Sequence, residues 1–134
     1  MIKIENLCKT YGDTKALDDF SLSVPKGSVY GLMGLNGAGK TTVIKHLAGF
    51  VLPDFGTVTI DGQSVIDNEE LKQRVLIIPD ELYFFRGYSL KDMRGFYKNI
   101  YKRWDEERFD IMAEDFGIDL KKNMGNFSKG VRKQ

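Results

Sequence analysis

The chain has few of the residues that build disulfides, zinc sites or membrane spans. It contains one cysteine, Cys8, and one histidine, His46, among 134 residues. A single cysteine excludes an internal disulfide and a cysteine-based zinc site, so Cys8 is predicted to be a small, half-buried strand residue. His46 is predicted to lie at the surface or rim of a helix rather than to bind a metal. No run approaches the ~20 apolar residues that cross a bilayer.

An excess of one charge is also lacking. The 20 basic and 19 acidic residues give a net charge of +1, which provides no global attraction to nucleic acid or to an anionic membrane. The N-terminus has neither an apolar signal core nor a cleavage pattern, which favours a cytosolic location, either directly or on a membrane partner. The length, with 42% hydrophobic and 29% charged residues, fits one globular domain.

One stretch carries most of the functional information, because residues 34–42 fulfil the phosphate-loop pattern G-x-x-x-x-G-K-[ST]. Glycines let successive backbone N–H groups converge on an anion, and the following helix adds its positive N-terminal end. The ammonium of Lys40 can then reach the outer phosphates, and the hydroxyl of Thr41 can ligate a bridging Mg²⁺. A glycine turn opening an ordinary helix is the weaker alternative. The predicted nucleotide-binding residues are Gly34, Leu35, Asn36, Gly37, Ala38, Gly39, Lys40, Thr41 and Thr42.

The segments beside this loop predict the strand, loop and helix order that the motif requires. The apolar run 28–33 is suited to a buried strand. Gly49 is expected to cap the helix that follows the loop, and Pro53 resists its continuation. The predicted apolar stripe of that helix is Val43, Ile44, Leu47 and Ala48.

The rest of the first half predicts strands that are mostly antiparallel, with turns at Pro25–Gly27 and Pro53–Gly56. A short helix is expected over 68–73, and the apolar run 75–78 is expected to form a central strand. The antiparallel strands are predicted at Ile2–Asn6, Leu17–Val24 (with Phe20, Leu22 and Val24 on one side) and Thr57–Asp61.

The second half is predicted to be helical. Ser89 and Asp92 resemble a capping box at the start of one helix, whose aromatic stripe Phe96, Tyr97 and Tyr101 is interpreted as core packing. Asp105 can cap a second helix, carrying Phe109, Met112 and Phe116, that Gly117 would end. The two halves are therefore predicted to be a mixed β subdomain that carries the phosphate loop and a helical subdomain that begins at about Pro79.

With these motifs in place, the chain resembles the ATP-binding subunits of ABC transporters from residue 2 to residue 134. Tyr11 lies where that family has an aromatic ring that stacks on adenine, and residues 53–62 match its Pro-x-x-Gly strand segment. Asp80 aligns with the loop that senses the γ-phosphate, where the family usually has glutamine. A carboxylate can approach Mg²⁺ directly or through water, but it cannot donate an amide hydrogen bond. Glu81 is the alternative aligned residue.

The segment 127–131 aligns with the family signature Leu-Ser-Gly-Gly-Gln and keeps Ser128 and Gly130. In the family this loop faces a γ-phosphate bound by the opposite subunit, which implies a head-to-tail homo- or heterodimer of complete subunits. Lys129 departs from the common form, and either adds charge near the phosphate or points to solvent. The segments 104–105 and 126–131 are similar to those of bacterial exporters, including antibiotic and bacitracin-type efflux systems.

The resemblance implies an α/β fold: an ABC-type P-loop NTPase core with an antiparallel β subdomain and a helical subdomain, lacking its C-terminal half. It implies a partial ATP-binding core with the antiparallel β subdomain and the phosphate loop over 1–78, and a sensing loop, helical subdomain and signature motif over 79–134. It implies ATP and Mg²⁺ as cofactors, Lys40 and Asp80 as catalytic groups, and Thr41 and Asp80 as metal ligands. The expected function is coupling of ATP binding and hydrolysis to membrane transport, with export favoured. The implied partner is a membrane-spanning transporter subunit that holds the protein at the inner face of the cell membrane, and no nucleic acid is expected.

The family's catalytic glutamate follows the signature and has no counterpart in these 134 residues, so this chain is predicted to bind ATP without hydrolysing it. Two alternatives stay open. One is a non-transport ABC-type ATPase of translation or DNA repair, against which the near-neutral charge and the lack of coiled-coil heptads or a basic aromatic strip argue. The other is a truncated nucleotide-binding module without turnover that pairs with an intact copy and lowers its activity.

Overall fold

The computed structural model describes residues 1–79 and 83–132. The chain divides into two compact units, Met1–Ile77 and Ile78–Gln134. Asp80, the predicted metal ligand, and its alternative Glu81 lie outside the described residues, as does the side chain of Lys129.

The first unit contains a four-stranded antiparallel sheet in the order β2-β1-β3-β4. The strands are β1 (Ile2–Tyr11), β2 (Thr14–Val24), β3 (Phe55–Ile60) and β4 (Gln63–Ser64). The predicted antiparallel strands are confirmed, although β1 and β2 extend further toward their shared turn than the prediction. Alternation along β2 also agrees, since Phe20, Leu22 and Val24 lie on the core side.

Two helices complete this unit: α1 (Lys40–Leu47) and α2 (Glu69–Lys72). Asn68 caps α2 by accepting a hydrogen bond from the Leu71 N–H, so the predicted short helix is confirmed. Cys8 lies half-buried in β1 as expected. The core draws on both helices and the sheet, and is formed by Ile4, Leu7, Leu17, Val43, Val58, Val65 and Leu71.

Two predicted strands are wrong, because residues 28–33 and 75–78 have no strand structure. Val29 and Met33 are 103% and 92% exposed, and Leu76 and Ile78 are also exposed. A strand needs a neighbour within ladder hydrogen-bonding distance, and neither segment pairs with a strand in the part of the chain that the structure describes. An apolar run indicates that a segment can be buried in a sheet. It does not indicate that a partner strand is present.

The prediction for the buried face of α1 is corrected at two positions. His46, expected at the surface, is 1% exposed, whereas Ile44, expected in the buried stripe, is 45% exposed. Val43 and His46 are three positions apart and therefore share the face that packs inward. Gly49 follows the helix with φ of 68° and donates its N–H to the His46 carbonyl at 2.9 Å, which confirms the predicted glycine end.

The second unit contains α3 (Leu90–Ile100), α4 (Glu106–Asp115), a 3₁₀ turn (Met124–Asn126) and α5 (Lys129–Arg132). Both predicted caps are present. Ser89 and Asp92 form a reciprocal capping box, and the Asp105 carboxylate accepts a hydrogen bond from the Arg108 N–H at 2.9 Å. Gly117 follows α4 with φ of 61°.

The aromatic stripe of α3 is less buried than the core-packing interpretation requires. Phe96 and Tyr97 are 38% and 37% exposed, and their rings contact each other edge to face. Met93 is the buried residue of α3. The helices α3 and α4 are instead joined by Arg94, which forms ion pairs with Glu106 and Asp110.

Candidate nucleotide-binding site

The phosphate loop is held against the sheet by its last glycine. Gly39 is the N-cap of α1 with φ of 83°. A Cβ atom added there would lie 2.6 Å from the Ala16 carbonyl oxygen and 2.8 Å from Cδ2 of Leu17. Only glycine permits both this left-handed backbone and this close approach to β2. The third glycine of the motif therefore fixes where the helix begins relative to the strand.

The N-terminal end of α1 is open to an anion. Gly39 offers no side chain to cap the first turn, and that turn contains no acidic residue. The N–H groups at a helix start lack partners within the helix, and the helix dipole makes them favourable for negative charge. The preceding residues 34–38 are exposed, with Leu35 at 85%. A phosphate group can therefore reach these donors from solvent.

Lys40 lies with its ammonium inside the loop. Its Nζ donates hydrogen bonds to the carbonyl oxygens of Gly34 and Leu35, both at 2.6 Å. The loop is also closed by the Ala38 N–H, which donates to the Leu35 carbonyl at 3.2 Å. The ammonium that the sequence assigns to phosphate binding thus lies at the first two residues of the loop.

Thr41 and Thr42 follow Lys40 in the first turn of α1. Thr41 is exposed, so its hydroxyl is accessible to a metal ion carried by a nucleotide. The Thr42 carbonyl accepts a hydrogen bond from Nδ1 of His46 at 2.7 Å, which assigns the ring proton to that nitrogen. Residues 1–79 and 83–132 contain no cluster of three or more His, Cys, Asp or Glu side chains suited to a metal.

Tyr11 lies at the end of β1 and is 45% exposed. Strand pairing places it near the loop, because Lys9 of β1 pairs with Leu17, whose side chain lies at the Gly39 approach. The ammonium of Lys9 lies 5.7 Å from the centroid of the Tyr11 ring. An exposed aromatic ring beside a phosphate loop can accept a purine by stacking.

Asp54 belongs to this region but was not predicted from the sequence. Its carboxylate accepts hydrogen bonds from Lys9 Nζ at 2.6 Å and from the Thr10 N–H at 2.7 Å. These bonds lower the pKa of the Asp54 carboxyl, with the Lys9 ammonium as the larger cause. The only sequence signal was an acid in the turn after Pro53, and nothing in the sequence indicates contact with a strand 44 residues away.

The signature segment lies in the second unit. The Ser128 hydroxyl accepts a hydrogen bond from the Val131 N–H at 3.2 Å, and its carbonyl accepts from the Arg132 N–H at 3.0 Å. Ser128 therefore caps the short helix α5. Phe127 is buried and anchors the segment beside Lys122, whose Nζ lies 5.2 Å from the ring centroid.

Comparison with known proteins decides the family. The sequence profile described as ABC transporter matches residues 17–134, which is most of the chain. The chain belongs to the ABC transporter family. Its fold class is that of the family's ATP-binding domains, with the antiparallel sheet and helices described above.

Two curated relatives of this ABC transporter family member have different roles in their names. The chain is 31% identical over 137 residues to the bacitracin transport ATP-binding protein BcrA of Bacillus licheniformis, covering 100% of this chain and 45% of that protein. It is 47% identical over 142 residues to the energy-dependent translational throttle protein EttA of Haemophilus influenzae, covering 98% of this chain and 23% of that protein. The chain thus spans less than half the length of either relative.

A solved structure described as the ATP binding subunit of an ABC transporter matches this family member with a TM-score of 0.88 and 27% identity. The match covers 98% of this chain and 57% of that chain. Among the helices of residues 1–79 and 83–132, none has the length and apolar character needed to span a bilayer.

Proposed function

We propose that this chain forms the nucleotide-binding part of an ABC transporter's ATP-binding subunit and binds Mg²⁺-ATP at residues 34–42. The observation that carries the proposal is the open start of α1, with the Lys40 ammonium directed into the loop. Backbone N–H groups and Lys40 would hold the phosphates, Thr41 would ligate Mg²⁺, and Tyr11 would stack on adenine. Bound Mg²⁺ would supply neutralisation of phosphate charge. Asp80 is proposed as a second ligand of that metal.

Calorimetric titration of the chain with Mg²⁺-ATP tests this site. Lys40→Ala should weaken binding by at least about tenfold, because one charge-assisted contact to phosphate contributes roughly 1.5–3 kcal/mol. Lys45→Ala is the matched control, since Lys45 is an exposed lysine on the same helix outside the loop. Equal affinities of the wild-type chain and Lys40→Ala would reject the phosphate loop as the binding site.

We further propose that these 134 residues bind ATP without turnover. Phosphoryl transfer to water needs a group that orients the nucleophile. The apolar run 75–78 is followed by Pro79 and the pair Asp80-Glu81, but this segment aligns with the γ-phosphate loop and precedes the signature, whereas the family's catalytic glutamate follows the signature. Phosphate release from purified chain and Mg²⁺-ATP should equal that of a Lys40→Ala preparation. Phosphate release that Lys40→Ala abolishes would contradict this proposal.

In the complete protein, Ser128, Lys129 and Gly130 are proposed to contact ATP held by a partner subunit. The supporting observation is that Ser128 caps α5 and that buried Phe127 anchors the segment. The complete subunit should therefore dimerise with ATP when hydrolysis is blocked. Monomeric elution of such a protein in size-exclusion chromatography with ATP would contradict this arrangement.

Transport is proposed as the activity that ATP drives, with the subunit bound at the cytoplasmic face of a membrane-spanning partner. The exposed Arg86 and the aromatic rings around Phe85 are the proposed contact surface, because exposed aromatic and arginine side chains favour protein interfaces. In the complete protein, Arg86→Ala should reduce transport while ATP affinity is unchanged. Parallel loss of both would indicate a folding defect.

A role in translation is the second candidate, because the relative EttA has 47% identity to this chain. The net charge of +1 supplies little attraction to RNA, which favours the transport proposal. Two measurements on the complete protein separate the two candidates. One is co-sedimentation with ribosomes, and the other is stimulation of its ATPase activity by membranes that contain its membrane-spanning partner subunit. ATP-dependent ribosome binding without membrane stimulation would replace transport by translation.

A further inference from the structure

Asp54 connects the turn before β3 to the end of β1. Its backbone N–H donates to the Cys8 carbonyl at 3.0 Å, and its carboxylate accepts from Lys9 Nζ and the Thr10 N–H at 2.6 and 2.7 Å. Asp54 therefore contacts Cys8, Lys9 and Thr10, the three residues that precede Tyr11. These bonds involve no residue of the phosphate loop or of the signature segment.

Lys9 transmits this connection to the Tyr11 ring. Its side chain is only 16% exposed, because Asp54 and the ring hold it along the sheet. The ammonium lies 5.7 Å from the ring centroid, within the range at which a cation is attracted to an aromatic face. The remaining surface of the ring stays open, since Tyr11 is 45% exposed.

Lys9 needs Asp54 to keep this position. A lysine side chain has four rotatable bonds, and an ammonium without a fixed acceptor samples water rather than one site over a ring. The Asp54 carboxylate supplies that acceptor, and its second oxygen fixes the Thr10 backbone that leads into Tyr11. The Asp54 carboxylate is 46% exposed, and an ion pair with one solvated partner adds little to overall stability, so the main effect expected from Asp54 is on the local geometry.

We propose that Asp54 is a positioning residue that orients Tyr11 for stacking on the purine base, acting through Lys9 and the Thr10 backbone. This inference rests on the proposed function, in which the phosphate loop holds the phosphates and Tyr11 contacts the base. It divides the site into a phosphate part, residues 34–42, and a base part, Tyr11 with Lys9 and Asp54. Loss of Asp54 should then weaken binding only of ligands that carry the base.

The test compares the affinity of the chain for Mg²⁺-ATP with its affinity for Mg²⁺-tripolyphosphate, which lacks the base and sugar. Tyr11→Ala should lower ATP affinity by roughly five- to a hundredfold, the range for loss of one base-stacking contact, and leave tripolyphosphate affinity unchanged. Asp54→Asn should lower ATP affinity by about three- to tenfold, again with unchanged tripolyphosphate affinity. Asp54→Ala, which removes both acceptor oxygens, should lower it further.

Asp61→Asn is the matched control. Asp61 is another carboxylate of the first unit held by a cation, since it pairs with Arg74 and the N-terminal amine away from Tyr11. This variant should bind both ligands as the wild-type chain does. The control separates loss of any exposed ion pair from loss of the contact that reaches Tyr11.

Each other outcome overturns a stated part of the reasoning. If Asp54→Asn binds ATP like the wild-type chain while Tyr11→Ala does not, the positioning role of Asp54 is rejected and Tyr11 stacking stands. If Asp54→Asn weakens both ligands equally, the carboxylate supports the fold and does not position the ring. If Tyr11→Ala has no effect on ATP affinity, the base part of the site is rejected together with the positioning role of Asp54. If the wild-type chain binds neither ligand, the proposed nucleotide-binding function of the chain is rejected.

Discussion

Replacement of Gly39 by alanine should destabilise the first unit more than the same replacement at Gly37. Both glycines belong to the phosphate loop and both have φ of 83°. A Cβ at Gly37 would have no atom within 4 Å, whereas at Gly39 it would lie 2.6 Å from the Ala16 carbonyl oxygen and 2.8 Å from Leu17 Cδ2. The pair therefore separates backbone strain from the close approach of the loop to β2.

The magnitudes follow from these two terms. An alanine in the left-handed region costs about 1–2 kcal/mol, which is the full effect expected for Gly37→Ala. Forcing a methyl group into a closely packed position adds about 1–3 kcal/mol for Gly39→Ala. Gly39→Ala should therefore lose about 2–5 kcal/mol in total, a large share of the 5–15 kcal/mol typical of a domain.

Urea unfolding without nucleotide, followed by far-ultraviolet circular dichroism, records both units, so the destabilisation of the first unit is the change that tryptophan fluorescence from the second unit does not show. Trp104 is the one tryptophan of the chain and lies beside α4, so its fluorescence records the second unit separately. Equal losses in the two variants, or a larger loss for Gly37→Ala, would refute the close approach of Gly39 to β2.

Further predictions concern capping, burial and acid. Asp105→Ala should lower the free energy of unfolding by about 1 kcal/mol, because it removes the side-chain cap of α4. Asp115→Ala, at the other end of the same helix, should not lower it. Trp104 fluorescence during urea unfolding compares the two variants. His46→Leu should stabilise the first unit by about 1 kcal/mol in thermal unfolding, because Nε2 of His46 is buried without a partner, while His46→Ala should cost about 2–4 kcal/mol through the cavity it leaves. The N-terminal amine, followed by Arg74, lowers the pKa of the Asp61 carboxyl, so its stabilisation is present above the unfolded pKa of about 3.9 and is lost as the pH falls through the lower folded value. Urea midpoints of Asp61→Asn should therefore fall below those of the wild-type chain at pH 7 and approach them at pH 3.

The features that could be predicted from the sequence are those whose partners lie close along the chain. The caps at Ser89 and Asp105 are bonds to a backbone N–H three residues away, so residue type and spacing determine them. The bonds from Lys40 to carbonyls five and six residues before it are equally local, but they were not predicted, and the contact of Lys40 with phosphate stays a prediction. The antiparallel strands were also predictable, since alternation and turn residues indicate both the strands and their pairing.

The failures concern features that depend on distant parts of the chain. Residues 28–33 and 75–78 have the composition of buried strands, but strand structure requires a neighbour that composition cannot reveal. The burial of His46 depends on which face of α1 meets the sheet, and Val43 sets that face. The bonds from Asp54 to Lys9 and Thr10 cross 45 and 44 positions, so only the folded chain brings them together.

In this structure the Lys40 ammonium is bound by the carbonyl oxygens of Gly34 and Leu35, which belong to the loop itself. A ligand that binds Lys40 must replace these two hydrogen bonds. Its net affinity therefore depends on how much more strongly it attracts the ammonium than two neutral carbonyl oxygens do. Attraction to an ammonium grows with the charge of the partner, which favours a triphosphate over a monophosphate. A nucleoside offers only neutral acceptors, which are no stronger than the carbonyls of Gly34 and Leu35. If the loop binds nucleotides as proposed, it would therefore discriminate by phosphate charge independently of the base, and weakly charged metabolites would bind poorly.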